Sequence, residues 1–285
     1  MEGHKHVGLL RRSVSSAARK TPLVKDVITR IRDTSLEVER LRIQCRQIED
    51  AVNQSGLLPL PPEQLQRRVL GYYSPTFVSS GDRDVDDLNT LLAKVGTSLQ
   101  QSDRILDFGC GPGRALRALH CRGFDKSRLF GSDIDPEPIE WCTQNYQRVA
   151  TFSVNDHEPP TSYPNNFFDC VYSISVFTHL PEEMQFAWLA ELRRISKPGG
   201  YLMLTVHGPD FEYLLSDAQK KTLSTHGFVY RSVGDTEGLP SFYQAAYHSH
   251  EYIQREWSKY FQIHHIEYKG LEAYQDAVLC QKSGI

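Results

Sequence analysis

The chain has 285 residues, 40% hydrophobic and 24% charged, enough for one large domain, or a domain with an appendage, around a sizeable core. Its 32 basic and 35 acidic residues give a formal charge of -3, which excludes a global field drawing it onto nucleic acid or an anionic bilayer, so no nucleic-acid partner is expected. Six cysteines (Cys45, Cys110, Cys121, Cys142, Cys170 and Cys280) form no Cys-x-x-Cys pair and no zinc-spaced cluster with histidine, as suits a reducing cytoplasm, and no window approaches the ~20 apolar residues of a transmembrane segment.

Residues 1–23 read as a basic flexible tail. The stretch 11–20 is basic, Ser-rich and free of acids, the composition of an organelle-targeting segment or of a solvated arm. Residues 24–56 then form a helical segment in which Val24, Ile31, Val38, Cys45 and Val52 stand seven apart, with Val27, Thr34, Leu41 and Ile48 three residues later. That is the a and d pattern of a coiled coil, and β-branched a residues favour two strands, so a homodimer through residues 24–52 is expected. Leu36 and Ile43 fall outside this stripe, which fits instead a helix lying on a globular domain. Three prolines in Pro59-Leu60-Pro61-Pro62 end the helix by removing donors and restricting their neighbours, and a domain is expected over residues 63–285.

Within it, Ser79-Ser80-Gly81 reads as a loop and Val85 to Val95 as a helix. From residue 104 strands and helices alternate: strand 104–108, helix 114–122, strand 129–133, helix 136–147, strand 151–155, strand 168–175, helix 181–196 and strand 201–206. Such alternation specifies a parallel sheet with helices on both faces and ligands at the carboxyl ends of the strands. A helix over 251–260 and two final strands, 261–268 and 277–281, follow. Too few residues separate these strands for a crossover, so they form an antiparallel hairpin.

The chemistry concentrates at the first strand-to-helix turn. Leu106-Asp107-Phe108-Gly109-Cys110-Gly111-Pro112-Gly113 lets a ligand approach backbone where a Cβ would collide with it. Its GxGxG spacing differs from the GxGxxG of dinucleotide turns, and the carboxylate of Asp107 beside it suits a cation rather than a pyrophosphate. This stretch resembles the first motif of class I S-adenosylmethionine-dependent methyltransferases, and the likeness continues in register from Arg104 to Gln281. Gly131-Ser132-Asp133-Ile134-Asp135 is similar to the end of that family's second strand, Asn155-Asp156 to its third, Phe168 to Ser175 to its fourth, and Leu192 to Gly200 to the turn before its fifth.

The resemblance implies an α/β fold, a doubly wound, seven-stranded, mostly parallel sheet of the Rossmann-like methyltransferase type, here with an N-terminal helical extension. It implies an enzyme whose cofactor is S-adenosyl-L-methionine. Asp107 then meets the methionine ammonium, Gly109, Gly111 and Gly113 cover the amino acid end, and Arg114 reaches the methionine carboxylate. Asp133 accepts from the ribose hydroxyls, Ile134 lies against adenine, the acid of the Asn155-Asp156 motif, Asp156, accepts from the adenine amino group, and Ser173 belongs to the fourth-strand motif.

Methyl transfer requires chiefly alignment of nucleophile, methyl and sulfur, and a hydroxyl nucleophile benefits from a general base. His179, just after the fourth strand, and His207, after the fifth, are the candidates. Ser173-Ile174-Ser175-Val176 stands where amino-methylating nucleic-acid enzymes carry Asp/Asn-Pro-Pro-Tyr/Phe, which disfavours base methylation, and no acid and histidine cluster suggests a metal site. Residues 208–249 form a long insertion with seven aromatic residues, among them Phe211, Phe242, Tyr243 and Tyr247, suited either to a lid over a small acceptor or to a satellite core.

The motif in its form Phe108 to Arg114, the proline-marked segment and the tail from Tyr247 resemble bacterial methyltransferases associated with glycan synthesis. That likeness implies O-methylation of a saccharide or other small molecule. A methyltransferase acting on a protein or other macromolecule, and a non-catalytic cofactor-fold scaffold, are the alternatives.

Overall fold

The computed structural model describes residues 22–54, 58–70, 76–234 and 240–284; the basic stretch at 11–20 lies outside them. The chain divides into two compact units between Leu60 and Pro61. The first contains helix α1 (Pro22–Gln54), on which Val27, Ile31, Val38 and Leu41 are exposed, as are Leu36 and Ile43.

The second unit opens with helices α2 (Glu63–Leu70) and α3 (Phe77–Ala93). Then come β1 (Ile105–Phe108), α4 (Arg114–Cys121), β2 (Leu129–Asp133), α5 (Pro136–Asn145), β3 (Thr151–Val154), β4 (Phe168–Ser173), α6 (Glu182–Ile195) and β5 (Ser196–Val206). The chain continues through α7 (Asp217–His226), β6 (Phe228–Arg231), β7 (Ala245–His248), α8 (His250–Glu256), β8 (Gln262–Leu271) and β9 (Gln275–Gln281).

Seven strands form one sheet in the order β3-β2-β1-β4-β5-β9-β8. The first five pair in parallel, and β9 runs antiparallel to both β5 and β8. This is the doubly wound sheet that the sequence alternation implies. Strand β1 is buried at every position, as expected of an apolar run covered on both faces. On one side Phe108 packs against Trp188 with ring centroids 4.7 Å apart, and Trp257, fully buried, meets Phe177 at 5.3 Å. The strand order reverses between β1 and β4, and such a reversal opens a crevice at the carboxyl ends of the strands.

Three local expectations change. Ser79-Ser80-Gly81 is helix, not loop, because α3 starts at Phe77. A Cβ on Gly81 would stand 2.6 Å from the Arg114 carbonyl oxygen, so this glycine serves close approach of α3 to α4 rather than a turn. Residues 197–200, expected as part of the turn before the fifth strand, instead form the first part of β5, which starts at Ser196. The insertion after β5 is a folded element: a 3₁₀ run over Pro209–Leu214, α7 with a Ser216/Gln219 capping box, and the β6–β7 pair. Phe211, Leu215, Leu223, Val229, Ala245 and Tyr247 make it a core of its own, while Phe242 and Tyr243 contribute to the crevice. The satellite core is thus present in the folded insertion.

Candidate functional site at the crevice of the sheet

A cavity of about 430 Å³ occupies the crevice, within the range of small-molecule and cofactor sites. One wall is the turn after β1. Gly109, Gly111 and Gly113 all have positive φ, at 83°, 49° and 76°, which side-chain-bearing residues rarely adopt. A Cβ on Gly109 would also stand 2.2 Å from Val176 Cγ2. The turn's own backbone and packing thus require at least part of the glycine pattern that the sequence attributes to a ligand. The turn is tied to β2: the amides of Gly109 and Cys110 donate to the Ser132 carbonyl, and the amide of Gly111 donates to Asp133 Oδ2 at 2.7 Å. Asp133 Oδ1 accepts from the Asp135 amide at 2.9 Å. Both lobes of this carboxylate therefore organise backbone at the edge of the cavity.

Asp107, Gly109, Gly111, Arg114, Asp133, Ile134 and Asn155 all line the cavity, as do His179 and His207. Gly113 opens α4 as its N-cap. Two expected residues sit elsewhere. Asp156 lines a neighbouring depression with Ser153, Thr161 and Tyr163, because side chains alternate at a strand end and it is Asn155 that enters the main cavity. Ser173 is fully buried within β4. The cavity begins one residue later, at Ile174, Ser175 and Val176, where Ser175 at φ 60° turns the chain.

The charges of the cavity wall are strongly perturbed. Burial pushes the Asp107 carboxyl up to about 8, against the pull of the neighbouring Tyr172 hydroxyl, with Asp84 adding to the rise. Burial likewise raises Asp133. Arg114 is only 8% exposed and pairs with Asp84 at 2.9 Å, while its other terminal nitrogen donates to Ser80 at 3.1 Å. The guanidinium that the sequence assigns to a ligand carboxylate is thus already engaged. Asn155 Oδ1 is buried and accepts no hydrogen bond, although its Nδ2 donates to the Asp156 carbonyl at 2.8 Å. Such an acceptor matches an amine donor on a bound group.

At the opposite end, His179 Nδ1 lies 2.6 Å from the Gln244 carbonyl and His207 Nδ1 lies 3.1 Å from the Ala246 carbonyl. A carbonyl only accepts, so Nδ1 carries the proton in each ring and Nε2 keeps its lone pair. His179 also stacks on Tyr243, centroids 4.1 Å apart. Burial lowers both imidazoles, His207 to about 4, with the proximity of His179 adding to the effect.

Residues 106–204 match the family described as methyltransferase domain. Over about a third of its length the chain is thus similar to methyltransferases. The chain is 26% identical over 142 residues to a fatty-acid O-methyltransferase of Mycolicibacterium smegmatis, a match covering 48% of this chain and 51% of that protein. It is 34% identical over 110 residues to a 2-methyl-6-phytyl-1,4-hydroquinone methyltransferase of Synechocystis, covering 38% of this chain and 33% of that protein. The chain thus spans about a third to a half of the length of these curated relatives. In fold it is similar to magnesium protoporphyrin IX methyltransferase from Synechocystis, solved with bound S-adenosylhomocysteine, at a TM-score of 0.52 and 19% identity, covering 84% of this chain and 99% of that one. A Pyrococcus horikoshii protein matches at a TM-score of 0.51 and 19% identity, covering 74% and 96%.

Several residues of the cavity carry no motif in the sequence. Leu65 and Arg68 reach it from α2, where Arg68 bonds Asp135 and Glu137, each at 2.5 Å. Tyr274 and Gln275 reach it from the β8–β9 turn, and Asp84 from α3. Their only signal lies in tertiary packing.

Proposed function

We propose that this protein transfers the methyl group of S-adenosylmethionine to a hydroxyl oxygen of a small uncharged molecule, with His179 as the general base. The observation that carries this reading is the hydrogen bond from His179 Nδ1 to the Gln244 carbonyl. It fixes an imidazole in the cavity wall in the tautomer whose Nε2 accepts a proton, and burial keeps that imidazole neutral near pH 7. His207, held the same way, supports the polarity of the same end.

The chain's residues fit the cofactor. The unpartnered Asn155 Oδ1 suits the adenine amino group, Ile134 the adenine face, Asp133 the ribose hydroxyls, and Asp107 the methionine ammonium. When bound, S-adenosylmethionine supplies a methyl group on a positively charged sulfur leaving group. The glycine turn and Asp133 orient it, Val176, Leu180, Phe242 and Tyr243 shield the reacting end from water, and His179 Nε2 takes the hydroxyl proton.

The walls also bear on the acceptor. The cavity's two arginines, Arg68 and Arg114, are both paired with carboxylates, and among the described residues no lysine lines it. An anionic acceptor such as a carboxylate would be desolvated there without a partner, whereas Tyr243, Phe242 and Tyr274 offer flat faces to a sugar or another hydroxylated ring. A saccharide is accordingly the first acceptor class to test. Incubation with methyl-labelled S-adenosylmethionine and matched hydroxyl and carboxylate acceptors is expected to label the hydroxyl set. Labelling of carboxylates alone would overturn the acceptor assignment, and absence of S-adenosylmethionine binding in calorimetry would overturn the enzyme reading.

A homodimer through α1 forms part of the proposal, supported by the exposed Val27, Ile31, Val38 and Leu41 at heptad spacing. Deleting residues 22–54 is expected to halve the particle mass measured by light scattering. An unchanged mass removes the coiled coil.

A further inference from the structure

We infer that Asp84, on α3 and outside the glycine motif, is a second carboxylate ligand for the cofactor's α-ammonium group, fixed in position by Arg114. The inference rests on the cofactor assignment made above and adds a residue to it. Asp84 is completely buried, yet it lines the cavity. Its Oδ2 forms an ion pair with Arg114 at 2.9 Å, and neither of its oxygens accepts a hydrogen bond. A buried carboxylate oxygen left without a donor is destabilising unless a bound group supplies one.

The surrounding chemistry indicates what that group is. Asp84 and Asp107 enter the same cavity from different elements, α3 and the end of β1, and the charge of Asp84 raises the affinity of Asp107 for a proton. Arg114 supplies one positive charge for these two carboxylates. It is also within 3.8 Å of Glu272, which in turn lies 3.5 Å from Arg83. A cation is therefore the missing component. Among the described residues no group of three or more His, Cys, Asp and Glu side chains could hold a metal ion, which favours a cation that binds through hydrogen-bond donors. An ammonium has three such donors and can satisfy both carboxylates at once. Ser80 accepts from the Arg114 Nη1, so the guanidinium is held on two sides and presents Asp84 rather than competing for the ligand.

The test compares two ligands by calorimetry. S-adenosylhomocysteine carries the α-ammonium, and 5′-methylthioadenosine keeps the nucleoside but lacks the amino acid end. The isosteric variant Asp84→Asn is expected to bind S-adenosylhomocysteine about 10- to 100-fold more weakly than wild type, the range for hydrogen bonds to a charged group, and to bind 5′-methylthioadenosine within about twofold. Equal losses for both ligands would assign Asp84 a purely structural role, and no loss for either would remove it from the site. Either result overturns the inference while leaving the methyltransferase reading intact; failure of wild type to bind S-adenosylhomocysteine overturns both. Should Asp84→Asn not fold, Arg114→Lys keeps the charge but loses the fork that holds Asp84. It is expected to show the same ligand selectivity at smaller size, and equal effects on the two ligands would again refute the assignment.

Discussion

Replacing His179 by alanine is expected to lower kcat for a hydroxyl acceptor by about 10²- to 10⁴-fold, the contribution of a positioned general base, with affinity for S-adenosylhomocysteine unchanged. The variant His179→Gln separates the two things this side chain does. A glutamine amide can still donate to the Gln244 carbonyl and so preserve the packing, but it cannot take a proton at neutral pH, so its kcat should fall as far as that of alanine. Recovery of activity in His179→Gln would reduce His179 to a strut. The pH profile gives a second reading. Burial lowers the His179 imidazole below its ordinary value, near 6.5, and a base works only while unprotonated. Wild-type kcat should therefore stay level from about pH 8 to about 6.5 and fall only in more acidic solution, a limb that His179→Ala loses. A decline that begins above pH 7 would contradict a buried neutral base.

Replacing Asp133 by alanine is expected to weaken S-adenosylhomocysteine binding by about 1.5 to 3 kcal/mol, or roughly 10- to 150-fold, the range for hydrogen bonds to a charged group. Besides its proposed role toward the ribose, Asp133 accepts from the Gly111 and Asp135 amides at 2.7 and 2.9 Å. Its removal frees the glycine turn on one side and the start of α5 on the other. Asp133→Asn, which keeps one acceptor oxygen, should retain much of the turn's geometry and show a smaller loss. Unchanged calorimetric affinity in a folded Asp133→Ala protein would refute any contact between this carboxylate and the cofactor.

The sheet was legible because its signals are local. Strands β1, β2 and β3 are short runs closed by a glycine or acidic turn, and the helices between carry their own start and stop residues, as at Pro136 with its Asp135 cap. Asp107, Asp133 and Asn155 were legible for the same reason, since each stands at a strand end. What escaped lies in contacts between distant parts of the chain. Gly81 looks like a turn residue until α4 is placed against it, and only then does its missing Cβ read as a packing requirement. Asp84 has no local signature, and its role emerges only when α3 brings it to the cavity beside Arg114. The assignment of Arg114 to a ligand carboxylate followed from its position at the head of α4 and could not anticipate a buried partner on another helix. The groups that select the histidine tautomers are the backbone carbonyls of Gln244 and Ala246, and a carbonyl leaves no trace in residue identity.

The segment 244–248, at the end of the insertion, is laced to both histidine-bearing strand ends: Gln244 and His179 share a backbone bond, the Ala246 amide donates to Thr178, and the His248 amide donates to His207. It acts less as a flap than as a splint for the edge that bears the two imidazoles. Engineers seeking new acceptors by grafting foreign loops here would therefore need to retain residues 244–248, since exchanging them would release the imidazoles before any selectivity could be gained. Sequence changes farther out, around the exposed Tyr213, offer the safer ground for diversification.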